Sequence, residues 1–415
     1  FRDGVRRYLS AHLGGNTDNE DLWTALEEAS GQPVGDLMHA WIFQGGFPVV
    51  EGTVEGGRCT LVQRRFRYDG ADDDGRWQVP VRLRTTLGEQ RILLGDSPLV
   101  LDLEGPLVTL NAGAEGFYRS EVDVSPDPGR LTPVERAMSV DDRWAATLGG
   151  RHDPASFAGF VAAFADDPDL AVWQAVLRGL YTMDLVAPGR HLMMAAEAAG
   201  LLGGMVHRLG WEPSDDEDDR TRQLRGVLLV AAGNLADDPD VIGEARRRWS
   251  SPTSTDPAVD GAVVAIVASH GDSADRADCR RRFDAARTSQ EEQRHLRALA
   301  LFPGLTEVET LLEEVHQGTI RTQDAPFLVR SLLAHPHHRA LIWRNLVDHW
   351  EDLNGRLPSN SIARMLEGIR ALGADVDPDV DRFLDDHPVP QGALMVAQHR
   401  ERRHVNLGLG NRLAG

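Results

Sequence analysis

The sequence predicts a multidomain α+β chain in three parts: a short helical region, a β-sandwich and a large all-α superhelical array. Three observations predict this. Residues 21–42 carry apolar side chains at helical spacing, residues from about 47 to 124 alternate with a period of two, and helical segments follow one another beyond Pro126-Asp127-Pro128-Gly129. At 415 residues the chain also exceeds the usual size of a single compact core.

The composition limits the partners and the compartment. There are 44 basic and 64 acidic side chains, a formal net charge of −20, and such an excess repels phosphate backbones and anionic membrane surfaces. We therefore expect no nucleic-acid partner and no membrane partner. Two cysteines, Cys59 and Cys279, are too few for a disulfide scaffold. No apolar run approaches the ~20 residues of a spanning helix, so we expect a cytoplasmic location, with any targeting signal at the true N-terminus left open.

The first part holds two amphipathic segments, separated by Gly31 and Pro33. Their apolar residues recur at helical spacing: Leu22, Trp23, Leu26 and Ala29, then Val34, Leu37, Met38, Trp41 and Ile42. After Gly45-Gly46-Phe47-Pro48 the pattern turns abruptly strand-like. The chain thus begins in a helical region whose partner helices it does not supply. We expect Trp23 and Trp41 to face those missing partners and the chain to self-associate through such patches.

The second part contains short strand candidates separated by Gly- and Asp-rich turns, which favours a small β-sandwich. The candidates are residues 48–54, 59–66, 77–85, 92–94 with 99–103, and 107–110 with 117–122. The clearest is WQVPVRLRT. In it we expect Trp77, Val79, Val81 and Leu83 to point inward, and Gln78, Arg82 and Arg84 to face water.

The third part begins where Thr132 and Glu135 fit a helix-capping box. Helical segments then succeed one another without a strict sequence period, which favours an irregular solenoid of the HEAT/armadillo-like kind with one concave surface. Those predicted include 170–183, 191–209, 221–235, 258–268, 291–302, 307–316, 326–334, 340–350, 362–372 and 376–384. Within them, Trp343 and Trp350 are seven residues apart and should share one helical face.

The first 52 residues resemble the last helices of the catalytic domain of the aminopeptidase N family of zinc metallopeptidases. Three ordered elements carry the resemblance: a Phe-x-x-Gly helix with a Tyr-Leu pair, an Asn and Asp-Leu-Trp turn, and a Trp-x-x-Gln-x-Gly-x-Pro exit. The matching residues are Phe1, Gly4, Tyr8, Leu9, Asn19, Asp21, Leu22, Trp23, Trp41, Gln44, Gly46 and Pro48.

The resemblance returns at Asn111–Ser120, NAGAEGFYRS, and again over residues 320–406, which look like the closing helices of the bacterial aminopeptidases. Ser120 departs from the family, which has an apolar residue there. Tyr118 and Arg119 could contact a ligand. The alternative, which we favour, is aromatic packing between the β-sandwich and the domain that follows it.

The resemblance implies a particular organisation and a particular role. It implies catalytic-domain helices of the thermolysin-like type over residues 1–46, a β-sandwich domain over 47–127 and an α-helical C-terminal domain over 128–415. The whole protein would be a zinc-dependent aminopeptidase that removes N-terminal residues from peptides. This chain would enclose the active-site cleft and line the peptide chamber, with peptide substrates and the missing N-terminal and catalytic domains as its partners.

The chain contains no HExxH, the motif that places two zinc-binding histidines and a general base on one helix. The implied zinc would therefore lie upstream, and we expect this fragment to bind no metal and to be inactive alone. We interpret His335-Pro336-His337-His338 as a solvated turn, and His399 and His404 as too poorly aligned to share a ligand. The acidic residues 215–219 lack both the Gly and the alternate spacing of a Ca²⁺ loop. Asp375, Asp377, Asp379 and Asp381 do alternate, but Pro378 and the missing Gly argue against a Ca²⁺ site, so we interpret both segments as loops.

Arg321, Gln323 and Asp324 are the only candidate site residues. In the resembling family the helical domain lines the cavity that receives the C-terminal side of the peptide, and Arg321 could attract a substrate carboxylate there. A structural role is the alternative we favour, because Asp324 precedes Ala325-Pro326 and suits a helix N-cap, a position that Thr322 could also take.

A second function fits the same sequence: a non-catalytic helical-repeat protein whose concave face binds peptides or a protein partner. The two hypotheses predict different coding sequences upstream of Phe1. The peptidase predicts an HExxH followed about twenty residues later by Glu upstream of Phe1, and the binding protein predicts a reading frame that starts near Phe1.

Overall fold

The computed structural model describes residues 1–71, 74–123, 125–251, 256–374 and 380–414. The chain divides into two compact units, Phe1–Ala146 and Thr147–Gly415. The predicted boundaries near residues 46 and 127 both fall inside the first unit, and they stay predictions. No helix in the described ranges is both long enough and apolar enough to cross a membrane.

The first unit opens with three helices, α1 (Arg2–Ala11), α2 (Asn19–Ser30) and α3 (Val34–Phe43). The N-cap residue of α2 is Asp18, whose carboxylate accepts hydrogen bonds from the backbone N–H groups of Glu20 and Asp21 at 3.0 and 3.2 Å. The helix ends at Gly31, which takes a left-handed conformation with φ 67° that glycine adopts without a steric penalty. The two predicted helices are confirmed.

The predicted exposure of Trp23 and Trp41 is wrong. Trp23 is only 7% exposed, and its ring lies edge-on to Phe43 with centroids 6.4 Å apart. The indole N–H of Trp41 donates to the carbonyl oxygen of Gln78 at 3.1 Å, and its ring lies 6.1 Å from that of Trp77. Both tryptophans therefore find partners within the first unit. Other apolar side chains of this region are exposed: Phe1, Leu9, Leu13, Ile42 and Phe43.

Seven strands follow: β1 (Pro48–Glu55), β2 (Arg58–Arg65), β3 (Val79–Thr85), β4 (Glu89–Leu94), β5 (Leu99–Asp102), β6 (Leu107–Thr109) and β7 (Arg119–Val122). They form a four-stranded sheet in the order β5-β2-β1-β7 and a three-stranded sheet in the order β4-β3-β6. The β1–β7 pair is parallel, and the other pairs are antiparallel. Buried residues of both sheets belong to one apolar cluster.

The inward face of β3 is as predicted. Trp77, Val79, Val81 and Leu83 are each at most 1% exposed. The buried side chain of Gln63 ties this segment to β2, since it accepts from the N–H of Trp77 at 2.9 Å and donates to the carbonyl oxygen of the same residue at 2.6 Å.

The opposite face of β3 is less exposed to solvent than predicted. Gln78, Arg82 and Arg84 are half-buried. Arg82 forms ion pairs with Glu89, at 2.9 Å, and with Glu115. The period-two pattern predicts that Arg82 faces solvent, but the carboxylates of Glu89 and Glu115 partly cover its guanidinium group.

The predicted capping box begins α4 (Pro133–Leu148). The carboxylate of Glu135 accepts from the N–H of Thr132 at 2.8 Å, and the Thr132 hydroxyl accepts from the N–H of Glu135 at 3.4 Å. The same carboxylate also binds Arg84, with oxygen–nitrogen distances of 2.9 and 2.7 Å, and the N–H of Gly113 at 2.7 Å. It thereby fastens the start of α4 to β3.

The described part of the second unit is helical. Its helices are α5 (Pro154–Val161), α6 (Leu170–Val186), α7 (His191–Leu209), α8 (Asp219–Asn234), α9 (Pro239–Ser250), α10 (Pro257–Ser269), α11 (Ser273–Asp284), α12 (Ser289–Ala298), α13 (Leu305–Gln317), α14 (Ala325–Leu333), α15 (Arg339–Asp348), α16 (Trp350–Arg356), α17 (Ser359–Met365), α18 (Val380–Asp386) and α19 (Ala393–Ala414). A large apolar cluster of buried residues runs from Leu229 of α8 to Val389, which precedes α19.

Trp343 and Trp350 share a face as predicted, although the helix between them breaks. His349 separates α15 from α16. Both indoles lie edge-on to the ring of Phe383 in α18, each with a centroid distance of 5.2 Å. One phenyl ring is thus held between two buried tryptophans.

Several helix boundaries differ from the predicted ones. The predicted helix 362–372 ends as a 3₁₀ segment, Leu366–Ala371. The predicted helix 376–384 is described only from Val380, and Asp375, Asp377 and Asp379 lie outside the described residues. Helix α11 has a single buried side chain, Cys279, so its sequence carries almost no apolar stripe from which it could be predicted.

Candidate functional site

The three predicted site residues lie in the turn that precedes α14. The backbone N–H groups of Asp324 and Ala325 donate to the carbonyl oxygen of Arg321 at 2.9 and 3.0 Å, which closes the turn. Arg321 and Gln323 are exposed, and Asp324 is half-buried. The sequence neighbours are therefore also neighbours in space, within one turn of the second unit.

The predicted capping role of the Asp324 side chain is wrong. Asp324 occupies the N-cap position of α14, but its carboxylate makes no cap hydrogen bond. Its backbone is helical, φ −96° and ψ −32°, whereas a capping side chain normally needs an extended backbone. In addition, Pro326 at the second helical position has no N–H to offer. The carboxylate accepts instead from the side-chain amide of Gln293 at 3.1 Å.

Two side-chain contacts join the turn 321–324 to α12. Arg321 forms an ion pair with Glu292, and Asp324 binds Gln293, the next residue of that helix. The carboxylate of Glu292 has a side-chain exposure of 22%, against 56% for Arg321. The positive charge of Arg321 is thus already paired in this structure.

A cleft of about 570 Å³ lies along α10 and α12, and Gln293 is one of its lining residues. Its base is apolar, because Val264 and Ala298 are at most 6% exposed. Polar side chains of α12 form one wall: Ser289, Gln290, Gln293, Arg294 and Arg297. An apolar base with hydrogen-bonding walls suits an extended peptide segment better than a compact metal ion.

The charge at this cleft is mixed. Arg294 lies 3.8 Å from Asp260, an ion pair at long range. Burial raises the pKa of Asp260, and Arg294 opposes that rise only in part. Arg297, one turn further along α12, is exposed. The cleft can therefore attract an anionic group at Arg297 while it holds an apolar group against Val264.

The cleft residues of α12 were not among the predicted site residues. A signal for them is present, since Gln290, Gln293, Arg297 and Leu301 recur at spacings of three and four and so share one face of a helix. What the sequence does not reveal is the opposite wall. Gly261 of α10 lines the cleft, and a Cβ placed there would meet no atom within 4 Å.

The histidine-rich turn 335–338 is solvated only in part, because Pro336 and His337 are exposed and His335 is buried, contrary to the prediction. His335 is 2% exposed, and its Nε2 lies 3.1 Å from the carbonyl oxygen of Phe302. His338 similarly binds the carbonyl oxygen of Pro303 at 2.9 Å. Burial lowers the pKa of His335 to about 4, so this imidazole is neutral at pH 7. These two rings bind backbone carbonyl groups of the segment between α12 and α13.

The other predicted clusters have structural partners. His399 is buried against the carbonyl oxygen of Ala363 at 3.0 Å, whereas His404 pairs with Asp381 at 2.8 Å, so the two histidines do not share a ligand position. Residues 215–218 form a loop, as predicted. This loop is anchored, because Glu217 binds the buried guanidinium of Arg225.

The described ranges contain neither a candidate metal site nor a reactive thiol. No group of three or more His, Cys, Asp or Glu side chains there has the arrangement of a metal site. Cys59 and Cys279 are free and buried. Burial raises the pKa of the Cys59 thiol to about 11 and that of Cys279 to about 12, so neither is a nucleophilic thiolate at pH 7.

Tyr118 and Arg119 have structural roles. The Tyr118 hydroxyl donates to the carbonyl oxygen of Leu110 at 2.6 Å, and the side chain is 6% exposed. Arg119 pairs with Asp141 and Asp142 of α4 at 2.8 and 3.0 Å. These contacts support the packing interpretation over ligand contact.

Fold and site together define a helix-rich region with a surface cleft and, in its described part, without a recognisable metal centre. Residues 107–404 match the model of the family described as the ERAP1-like C-terminal domain. The chain belongs to this family, which confirms the resemblance to the C-terminal portion of aminopeptidase N-like enzymes.

The relatives point the same way. The chain is 27% identical over 354 residues to the Tricorn protease-interacting factor F2 of Thermoplasma acidophilum, covering 83% of this chain and 43% of that protein. It is 27% identical over 454 residues to Aminopeptidase M1 of Arabidopsis thaliana, covering 98% and 51%, and 26% identical over 396 residues to the mitochondrial Aminopeptidase 2 of Saccharomyces cerevisiae, covering 90% and 41%. The chain spans about half the length of the curated relatives it matches.

Proposed function

We propose that this chain is the part of a zinc-dependent aminopeptidase that encloses the active-site cleft and lines the chamber for the peptide. The observation that carries the proposal is the family match over residues 107–404, together with relatives named as aminopeptidases that are about twice as long. The zinc and its ligands would be supplied by the half of those relatives that this chain does not match. Enclosure would contribute by positioning the peptide and excluding water.

In this proposal the chain has the three parts given by the sequence: catalytic-domain helices over 1–46, a β-sandwich spacer over 47–127 and a superhelical array over 128–415. The shared apolar cluster of the two sheets supports the sandwich. The succession of short helices in the second unit supports the array. The protein would act on peptides in the cytoplasm.

The first test is the activity of the chain alone. We expect purified chain with added Zn²⁺ not to hydrolyse aminoacyl nitroanilides, because HExxH is missing from its sequence. Turnover that persists after contaminating proteases have been removed would contradict the proposal. A start codon near Phe1 in the gene would instead favour the non-catalytic binding protein.

The second test concerns Arg321 in the full-length enzyme. We propose that Arg321, Gln323 and Asp324 contribute to the chamber, with Arg321 attracting the carboxylate of the peptide. Its pairing with Glu292 makes opposite predictions for two variants. Arg321→Ala should lower the preference for a free peptide carboxylate over a C-terminal amide, and Glu292→Ala should raise it, since it releases the guanidinium.

The readout is the ratio of kcat/KM for a free peptide to that for its C-terminal amide. A partly exposed charge pair contributes ~1 kcal/mol, so each variant should change the ratio by about fivefold. Arg281→Ala is the control, because Arg281 is also exposed and also paired, here with Asp278 at 2.8 Å. Equal ratios in all three variants would leave Arg321 with a structural role alone.

A further inference from the structure

A second cavity in the helical unit differs in character from the cleft along α12. It has a volume of about 420 Å³ and lies where four segments meet: the end of α6, the turn before α15, the chain that follows the 3₁₀ segment Leu366–Ala371, and the C-terminal half of α19. Its volume is at the lower end of the range for small-molecule sites.

The ionisable side chains that line this cavity are all of the basic type. They are His337, Arg339 and Arg370, and the lining residues that the structure describes include no Asp or Glu. The whole chain has the opposite balance, with 64 acidic and 44 basic side chains. Two guanidinium groups at one cavity of so acidic a chain are a local feature that favours an anion.

The two arginines are held in place before any ligand arrives. Arg339 is 8% exposed, and its Nε and Nη1 donate to the carbonyl oxygens of His335 and Ala371 at 3.0 and 2.9 Å. Arg370 donates through Nε to His399 at 3.1 Å and forms an ion pair through Nη1 with the carboxylate of Glu367 at 3.1 Å, which offsets part of its charge. Such fixed guanidinium groups lose little conformational freedom on binding.

His337 completes the wall and is accessible. Its side chain is exposed overall, but partial desolvation of the ring, together with the neighbouring His338, His191 and Arg339, lowers its pKa. The side chains named here as lowering this pKa are cations or become cations on protonation. An anion beside His337 would offset that accumulation of positive charge.

We propose that this cavity binds a small organic anion, a carboxylate or phosphate group attached to an apolar body. The anionic group would lie against His337, Arg339 and Arg370. The apolar body would lie against Val186, Leu372 and Leu407, which also line the cavity. The inference is independent of the aminopeptidase proposal, because it uses the charges and shape of this unit alone.

Isothermal titration of the chain with benzoate tests the inference. We expect saturable binding of benzoate and at least tenfold weaker binding of benzamide, which has the same shape and no charge. Equal affinity for the two, or no saturable binding of benzoate, would overturn the inference. Competition by inorganic phosphate would show that the site accepts either oxyanion, and an absence of competition would show that it needs the carboxylate with its apolar body.

Negative charges added at the lining of the cavity test where benzoate binds. His337→Glu should weaken benzoate binding by about tenfold or more, because it places a carboxylate beside the ligand. His207→Glu is the matched control, since His207 is exposed on α7 and does not line the cavity. A second variant, Asn411→Asp, adds a charge at the lining of the cavity without changing the size of the side chain. Equal losses in the His337 and His207 variants, or unchanged binding in both lining variants, would overturn the assignment.

Discussion

At the scale of single residues, the ion pair between Arg225 and Glu217 is the clearest case of a charge that the fold has to satisfy. The Arg225 side chain is 2% exposed and that of Glu217 is 12% exposed, with a nitrogen–oxygen distance of 2.6 Å. Arg225 also donates to the carbonyl oxygen of Leu209 at 3.2 Å. The pair joins the loop before α8 to the body of that helix.

We expect Glu217→Ala to reduce the free energy of unfolding by about 3–5 kcal/mol, because it leaves a buried guanidinium without its carboxylate. The measurement is the midpoint and slope of urea unfolding. Asp166→Ala is the control: it removes an ion pair with Arg208 whose side chains are 80% and 54% exposed, and it should cost no more than about 1 kcal/mol. Similar losses in the two variants would contradict the buried-pair argument.

His191 links three segments through its two ring nitrogens. Nδ1 lies 2.7 Å from Asp184 of α6, and Nε2 lies 2.9 Å from Asp237 in the loop after α8. Burial alone would lower the pKa of His191, but the hydrogen bonds to the two carboxylates outweigh it and raise the pKa above its usual value. Only the protonated ring can donate to both carboxylates at once.

The stabilisation from His191 should therefore depend on pH. Because the pKa is raised in the folded state, the contribution is fully present below about pH 6.5, the ordinary histidine pKa, and is lost as the pH rises through the folded value. We expect His191→Gln to lower the free energy of unfolding more at pH 6 than at pH 8.5, as measured by urea unfolding at both. His207→Gln is the control, because His207 is exposed, and its effect on stability should not differ between the two pH values. A loss in His191→Gln that is the same at both pH values would contradict the proposed bridge from protonated His191 to Asp184 and Asp237.

At the scale of elements, the start of α4 shows what local sequence does and does not specify. The capping box of Thr132 and Glu135 could be predicted because both partners lie three residues apart. The bonds of Glu135 to Arg84 and to the N–H of Gly113 could not, since they join positions far apart in the chain. For the same reason most helices were predictable from local sequence, whereas the burial of Trp23 and His335 and the partial burial of Trp41 were not.

We expect Glu135→Gln to destabilise the chain by about 3 kcal/mol at pH 7, because the Glu135 side chain is 1% exposed and Arg84 would lose its charged partner. Burial raises the pKa of Glu135, yet the bonds from Arg84, Gly113 and Thr132 outweigh it and leave the pKa lowered. The stabilisation is then fully present above about pH 4.5, the ordinary glutamate pKa, begins to decline below it, and is lost as the pH falls through the lower pKa of the folded state.

Thermal unfolding at pH 7 and at pH 4 measures this effect, and the difference between wild type and Glu135→Gln should shrink at pH 4. Glu115→Gln is the control, because Glu115 also pairs with an arginine of β3 but is 65% exposed. A loss in the control as large as that in Glu135→Gln would mean that burial is not the cause.

At the scale of the whole molecule, two opposing forces act between copies of the chain. The net charge of −20 keeps copies apart, and this repulsion is long-ranged only at low ionic strength. Against it, five apolar side chains of the first 43 residues are exposed: Phe1, Leu9, Leu13, Ile42 and Phe43. Burial of such surface is favourable and is not weakened by salt.

We therefore expect self-association that increases with both protein and salt concentration, measured by sedimentation velocity from 20 to 500 mM NaCl. Replacing Leu9, Leu13 and Phe43 together by Ser should abolish it, since this removes apolar surface without altering charge. Leu87→Ser with Val100→Ser is the control, because both residues are exposed apolar side chains elsewhere in the first unit, 76% and 57% exposed. Association that weakens with salt, or that survives the triple substitution, would assign it to charged contacts or to another surface.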